Sequence, residues 1–209
     1  HTSTFGNNMN IQEHLVYSAS GEFSRKIWLL NAAEKPATRL AVFLDGEYYV
    51  NHMAAPSMIH ELQRNDSIPA VTCLFVSHVN GAARHQDLTC SKKYSEYIVH
   101  DLVQWVQERN PELTHNDHLI AGTSLGGLAS AFVTLSYPRI FSRCLSHSGS
   151  FWWQSEWLTE NLDSLTPSRA KFWLSVGDKE KEFGISHPPS GLRQEVDQIS
   201  ACKRLAYAL

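Results

Sequence analysis

The sequence predicts a doubly wound α/β fold in a single domain, with a mostly parallel sheet. Two observations carry that expectation. Short apolar runs rich in β-branched residues alternate with longer helical patterns, and the later runs are continuously apolar rather than alternating. Alternation of that kind is what a parallel sheet with helical crossovers requires. Continuous apolarity is expected of strands covered on both faces. A length of 209 residues with 43% hydrophobic content suits one domain with a substantial core.

Six strands are read in order: "KIWLL" (Lys26–Leu30), "RLAVFL" (Arg39–Leu44), "AVTCLFV" (Ala70–Val76), "HLIAG" (His118–Gly122), "FSRCLS" (Phe141–Ser146) and "KFWLSV" (Lys171–Val176). Between the third and fourth, "KYSEYIVHDLVQWVQERN" places Tyr94, Ile98, Leu102, Trp105 and Val106 on one helical stripe, which Pro111 stops. A second helix is expected from about Leu128 to just before Pro138. The stretch Ile185 to Gly191 reads as the least regular and exposed part. No repeats, low-complexity tracts or linkers interrupt the chain.

Composition excludes some functions. The net charge of −3 and a pI near 6.4 offer no basic field to attract nucleic acid. No apolar run approaches the roughly 18 residues of a spanning helix, so no membrane partner is expected. Cys73, Cys90, Cys144 and Cys202 are widely spaced, without a C-x-x-C pair, which argues against a disulfide framework and favours a reducing compartment. The chain opens on His1 rather than Met, so its true N-terminus is expected to lie outside this sequence. A cytoplasmic location is the expectation, with a periplasmic one left open. The eleven histidines show no H-E-x-x-H or comparable ligand spacing, so no metal is expected.

The chemistry-bearing stretch is "HLIAGTSLGGLASAF". Within it, "GTSLG" (Gly122–Gly126) fits G-x-S-x-G between a predicted strand and a predicted helix. A serine there makes a sharp, strained turn that lifts its Oγ above the sheet, and the flanking glycines leave room for that turn. Ser124 is therefore the candidate nucleophile. The N–H of Leu125, at the helix N-terminus, is a candidate oxyanion donor. In an α/β-hydrolase the second donor comes from the loop after an earlier strand, here the N–H of Glu47 after the break at Asp45-Gly46. Asp45 is expected to order that turn through its side chain.

Four segments, "FLDGEYY", "ARHQDLTC", "IAGTSLGGL" and "CLSHSGSFWW", resemble corresponding stretches of the enterochelin (ferric enterobactin) esterases, members of the esterase D-like α/β-hydrolases. The resemblance runs from about Lys26 to the C-terminus. It implies an α/β-hydrolase fold and hydrolysis of the ester bonds of a small molecule, such as a ferric catecholate siderophore. No cofactor is implied, since iron would arrive within the substrate. It also implies that Glu180 is the acid partner, with Asp178 as rival. Arg84, in an R-x-x-[DE]-L segment with Asp87 and Leu88, matches a family arginine suited to an anionic ligand. Pairing of Arg84 with Asp87 to hold their loop is the alternative reading. Of Trp152 and Trp153, one is expected in the core; Trp152 is the candidate to line the ester pocket.

The base is the difficult assignment. Triads of this fold run Ser, acid, His, and ten of the eleven histidines precede Glu180, which leaves His187. The family's histidine lies in a G-G-H segment after a further strand, and none occurs here. The expectation is therefore a chain that stops short of its catalytic histidine, last strand and last helix, forming one domain over 1–209. His147 reads as structural and His85 as a weak outsider. Rival readings are a general carboxylesterase or acyltransferase of the same fold, or a non-catalytic binding module.

Overall fold

A computed structural model describes residues 9–165 and 169–209. Strands β1 (Ile11–Tyr17), β2 (Ser24–Leu30) and β3 (Leu40–Leu44) come first, then helices α1 (Gly46–Asn51) and α2 (Ala55–Arg64) and strand β4 (Thr72–Val76). Helix α3 (Gly81–Asp87) precedes a long helical segment made of α4 (Lys92–Glu96), a π-wound stretch (Tyr97–Leu102) and α5 (Val103–Arg109). The second half contains β5 (His118–Thr123), α6 (Leu125–Ser136), β6 (Phe141–His147), α7 (Trp153–Glu160), β7 (Lys171–Ser175), the hairpin of β8 (Ile185–His187) and β9 (Leu192–Gln194), and α8 (Gln198–Ala208).

Seven strands form one sheet in the order β1-β2-β4-β3-β5-β6-β7. The pairs β1–β2 and β2–β4 are antiparallel, while β3, β4, β5, β6 and β7 run parallel. This is the mostly parallel, doubly wound sheet expected of an α/β-hydrolase. All six strands read from the sequence are present. β1 escaped notice because Leu15 and Tyr17 are exposed edge residues that leave no clear apolar alternation. Ile185 to Gly191 is not irregular: its first three residues pair with Leu192–Gln194 as β8–β9.

Period-two alternation on β3 explains the layering. Leu40, Val42 and Leu44 enter the larger core with Leu102, Val106, Leu128 and Val133 of the helices on that face. Ala41 and Phe43 face the other way, into a smaller cluster with Tyr49, Ala55, Cys73 and Phe75 under α1 and α2. With both faces covered, all five residues of β4 are buried. Of the expected stripe, Tyr94, Ile98, Leu102 and Val106 are buried and Trp105 is half-buried, and Cys73 and Cys144 are buried free thiols.

β5 runs between β3 and β6, so its C-terminal end opens at the centre of the sheet's carboxyl edge. Ligands of open α/β sheets bind along that edge. Among the described residues, no helix is long and apolar enough to cross a membrane.

Candidate active site

Ser124 sits at the junction of β5 and α6 with φ 58° and ψ −122°. A non-glycine residue held there costs on the order of 1–3 kcal/mol and persists only when its surroundings over-determine it. They do. The Ser124 N–H donates to the His147 carbonyl at 3.0 Å, and the Ser124 carbonyl accepts from Gly127, Leu128 and Ser150 N–H at 3.0, 3.1 and 3.0 Å. A Cβ on Gly122 would lie 2.2 Å from the Gly126 carbonyl oxygen, so that position tolerates no side chain. At Gly127 a Cβ would lie 2.5 Å from Ser146 Oγ. Gly126 is less crowded, with its nearest contact at 3.4 Å. The motif's second glycine matters here mainly through the backbone that Gly122 must clear.

α6 begins at Leu125 itself, three residues earlier than the sequence indicated, so the Leu125 N–H opens the helix and has no intrahelical acceptor. Helix dipole and orphan N–H groups together favour negative charge at this spot.

The loop Ser148-Gly149-Ser150 brackets Ser124. Ser150 Oγ lies 3.2 Å from Ser124 Oγ, and Ser148 Oγ donates to Glu180 Oε2 at 2.7 Å. The Gly177 N–H donates to the same carboxylate oxygen at 2.8 Å. Glu180 is half-buried, whereas Asp178 is exposed, with no hydrogen bond or ion pair to another described residue. Of the two carboxylates, Glu180 is the one tied to the loop that holds Ser124.

Past the end of β3, Asp45 is buried and left-handed, with φ 56° and ψ 51°. Its side chain makes no capping bond, contrary to the expected turn-ordering role. The carboxylate instead accepts from Arg84 Nε at 2.9 Å on each oxygen, and Arg84 Nη2 forms an ion pair with Oδ2 at 2.8 Å. The alternative pairing of Arg84 with Asp87 does not form; Asp87 bonds Arg25. His78 Nδ1 lies 3.3 Å from Asp45 Oδ1 and 3.4 Å from Glu47 Oε2, too bent for a full hydrogen bond but close enough for attraction. Burial alone would raise the Asp45 carboxyl, but contacts with His78 and Arg84 outweigh it and hold the group below the usual carboxylate range. The Asp45 contact raises His78 in turn, against the opposing effect of burial. Glu47, in α1, turns its carboxylate to Ser77 Oγ and the His78 N–H at 2.9 and 3.1 Å.

The β8–β9 hairpin spans from Trp152 to α3. The His187 ring stacks on Trp152 with centroids 5.1 Å apart, and its Nε2 is 2.9 Å from Gln194 Oε1. At the tip, Ser190 Oγ bonds His85 Nδ1 and Pro189 packs against Gly81. Burial, together with the neighbouring Arg84 and His187, lowers His85. Trp152 is buried at 3% exposure and donates its Nε1–H to Gln198 Oε1 at 2.9 Å. It is thus the core member of the tryptophan pair, while Trp153 is half-exposed. A cleft of about 360 Å³ lies beside Glu180, His187 and Gln198.

His147 bonds Ser175 Oγ at 2.7 Å and supports the elbow through its carbonyl, a structural role. Among the described residues, Ser150 is the hydrogen-bond partner of Ser124 Oγ. No group of three or more described His, Cys, Asp or Glu side chains is arranged to hold a metal ion.

Residues 18–209 match the family described as "Putative esterase". The chain belongs to the esterase family. Within it, the chain is similar to the iron(III) enterobactin esterase of Escherichia coli K12, 28% identical over 133 residues, covering 62% of this chain and 33% of that protein. In structure it resembles the enterochelin esterase of Shigella flexneri, with a TM-score of 0.82, 23% identity and coverage of 97% of this chain and 50% of the other. A siderophore hydrolase from Aspergillus nidulans matches with a TM-score of 0.66 and 15% identity, over 99% of this chain and 81% of that one. The chain therefore spans about a third of the curated relative and half of the Shigella structure. The sequence resemblance to enterochelin-type esterases is thereby supported, and the esterase-family fold with it.

Proposed function

We propose that this chain carries the catalytic machinery of a serine esterase acting on ester bonds of an iron-binding catecholate siderophore. The observation that carries the reading is the strained Ser124, gripped by the same loop whose Ser148 holds Glu180. Membership of the esterase family and the names of the relatives support the reaction class and the substrate class.

In acylation, Ser124 Oγ attacks the ester carbonyl carbon and passes its proton to an imidazole, and the Leu125 and Glu47 N–H groups stabilise the oxyanion. Collapse of the intermediate expels the alcohol, which takes that proton. Water then gives a proton to the imidazole as its oxygen attacks the acyl carbonyl carbon; the Oγ–carbon bond breaks, the imidazolium returns that proton to Oγ, and the acid is released. Glu180 orients the imidazole and stabilises its charged form. Among the described histidines, His187 is the one that follows Glu180 in chain order, and it lies against Trp152 beside the Glu180 cleft. Arg84 adds positive charge near the oxyanion loop; with Nε and Nη2 committed to Asp45, it would act on an anionic substrate as a fixed charge through Nη1.

The test is fluorophosphonate labelling and hydrolysis of p-nitrophenyl butyrate and of an iron-loaded tris-catecholate ester. Labelling should map to Ser124, and Ser124→Ala should lower kcat by about 10⁴-fold or more. Wild-type turnover in Ser124→Ala would overturn the reading. His187→Ala at full activity would remove His187 as the base. Tight binding of the siderophore without turnover or labelling would instead establish a hydrolase-fold binding module.

A further inference from the structure

We infer that Ser150 is a positioning residue for the nucleophile: a fully buried hydroxyl that donates to Ser124 Oγ and stabilises the charge developing there. The inference rests on the serine-esterase reading and adds a residue to it. Ser150 has 0% exposure, and its Oγ stands 3.2 Å from Ser124 Oγ. Neither hydroxyl has another hydrogen-bond partner among the described residues. The two side chains do not meet by chance. The Ser150 N–H is bonded to the Ser124 carbonyl, and the Ser124 N–H to the His147 carbonyl, so two backbone bonds between the segments set the distance between the oxygens. The loop reaches this position because residue 149 is glycine: a Cβ there would lie 2.5 Å from the Phe151 ring and 2.7 Å from Ser146 Oγ.

In the resting state either hydroxyl can be the donor. Reaction decides the direction. As Ser124 Oγ–H gives its proton to the imidazole and the Oγ–carbon bond forms, Oγ can only accept, so the Ser150 proton must point to it. In deacylation, water oxygen bonds the carbonyl carbon, the Oγ–carbon bond breaks, and Oγ departs carrying negative charge before it recovers its proton. A fixed donor aimed at that atom favours both steps, and burial strengthens it because no water competes. It also holds Oγ in one orientation.

The experiment compares Ser150→Ala, Ser150→Thr and Ser150→Cys by kcat, KM, melting temperature and fluorophosphonate labelling rate. Loss of one donor to a charged oxygen should reduce kcat and the labelling rate of Ser150→Ala by about tenfold at unchanged KM. Ser150→Thr, which keeps the hydroxyl, should recover most of the rate, and Ser150→Cys, a weak donor, should fall between. If Ser150→Ala unfolds, the order of serine, threonine and cysteine still decides. Wild-type kcat in Ser150→Ala or Ser150→Cys, or losses that follow KM or melting temperature instead, would overturn the inference. That failure is separable from failure of the esterase reading. If the unsubstituted chain hydrolyses and labels at Ser124, only the role of Ser150 falls; if it does neither, both fall.

Discussion

The two sides of Ser124 are built by different means. On the β5–β6 side Ser124 is held by four backbone hydrogen bonds, by glycines that leave no spare volume, and by a fully buried Ser150. On the β7 side Glu180 lies in the loop after an edge strand whose Trp173 is 50% exposed and is held by two donors, Ser148 and Gly177. The hairpin beyond it is pinned by few contacts: Ser190 to His85, Pro189 against Gly81, and His187 against Trp152. A strained backbone needs many simultaneous constraints, because each residue near it must offset part of the strain. Placing a carboxylate needs only a few directed donors. The first side is therefore expected to answer to changes in volume, and the second to changes in hydrogen bonding.

Breaking the polar side at Glu180, the proposed acid, should have the largest effect. Glu180→Gln should lower kcat by about 10³-fold with little change in melting temperature, while Asp178→Asn stays near wild type. Steady-state kinetics on p-nitrophenyl butyrate check this, and a larger loss in Asp178→Asn would reverse the assignment of the acid. The packed side should fail through its fold instead. Gly122→Ala drives a methyl into the Gly126 carbonyl and should cost about 4 kcal/mol of stability, measured by urea unfolding.

The opposite end of β5 sharpens the same contrast. His118 is fully buried, and its Nδ1 accepts the Leu40 N–H at 3.0 Å. Burial pushes its pKa down to about 4 from the usual 6.5. The folded form binds its proton more weakly than the unfolded chain, so stability is intact above pH 6.5 and falls as pH drops toward 4. The expected loss is about 3 kcal/mol across that window. Denaturation midpoints against pH should show this slope, and His118→Gln should flatten it. A slope unchanged in His118→Gln would assign the loss to other groups.

The smallest effect belongs to the hairpin. Ser190→Ala removes its bond to His85 and should change global stability by less than about 1 kcal/mol. Amide exchange of residues 185–194 should accelerate all the same, because a segment held by few contacts opens locally without unfolding the rest. Unchanged exchange there would mean that the ring stack of His187 on Trp152 suffices to hold it.

Much of this was legible in the sequence because it depends on local pattern. Continuous apolar runs marked the parallel strands, since strands covered on both faces have no polar side to show. G-x-S-x-G marked the elbow, since a sharp strand-to-helix turn excludes side chains at fixed offsets. β1 was missed because an exposed edge strand need not alternate cleanly. The β8–β9 hairpin was missed because its turn lies among prolines and its pairing is only three residues long.

What the sequence determined by itself was the order of strands and helices and the turn at Ser124. Those follow from neighbours a few residues apart, where steric and hydrogen-bonding rules act directly; the short choice between Glu180 and Asp178 came from the family resemblance. Only the tertiary structure decided that Arg84 pairs with Asp45 across 39 residues rather than with Asp87 across three. It alone placed Ser150 on Ser124 across 26 residues and Ser148 on Glu180 across 32. Such partners are chosen by the sheet order, which brings the ends of β3, β4, β5, β6 and β7 to one edge. Which side chains meet at that edge depends on distances that sequence separation does not encode.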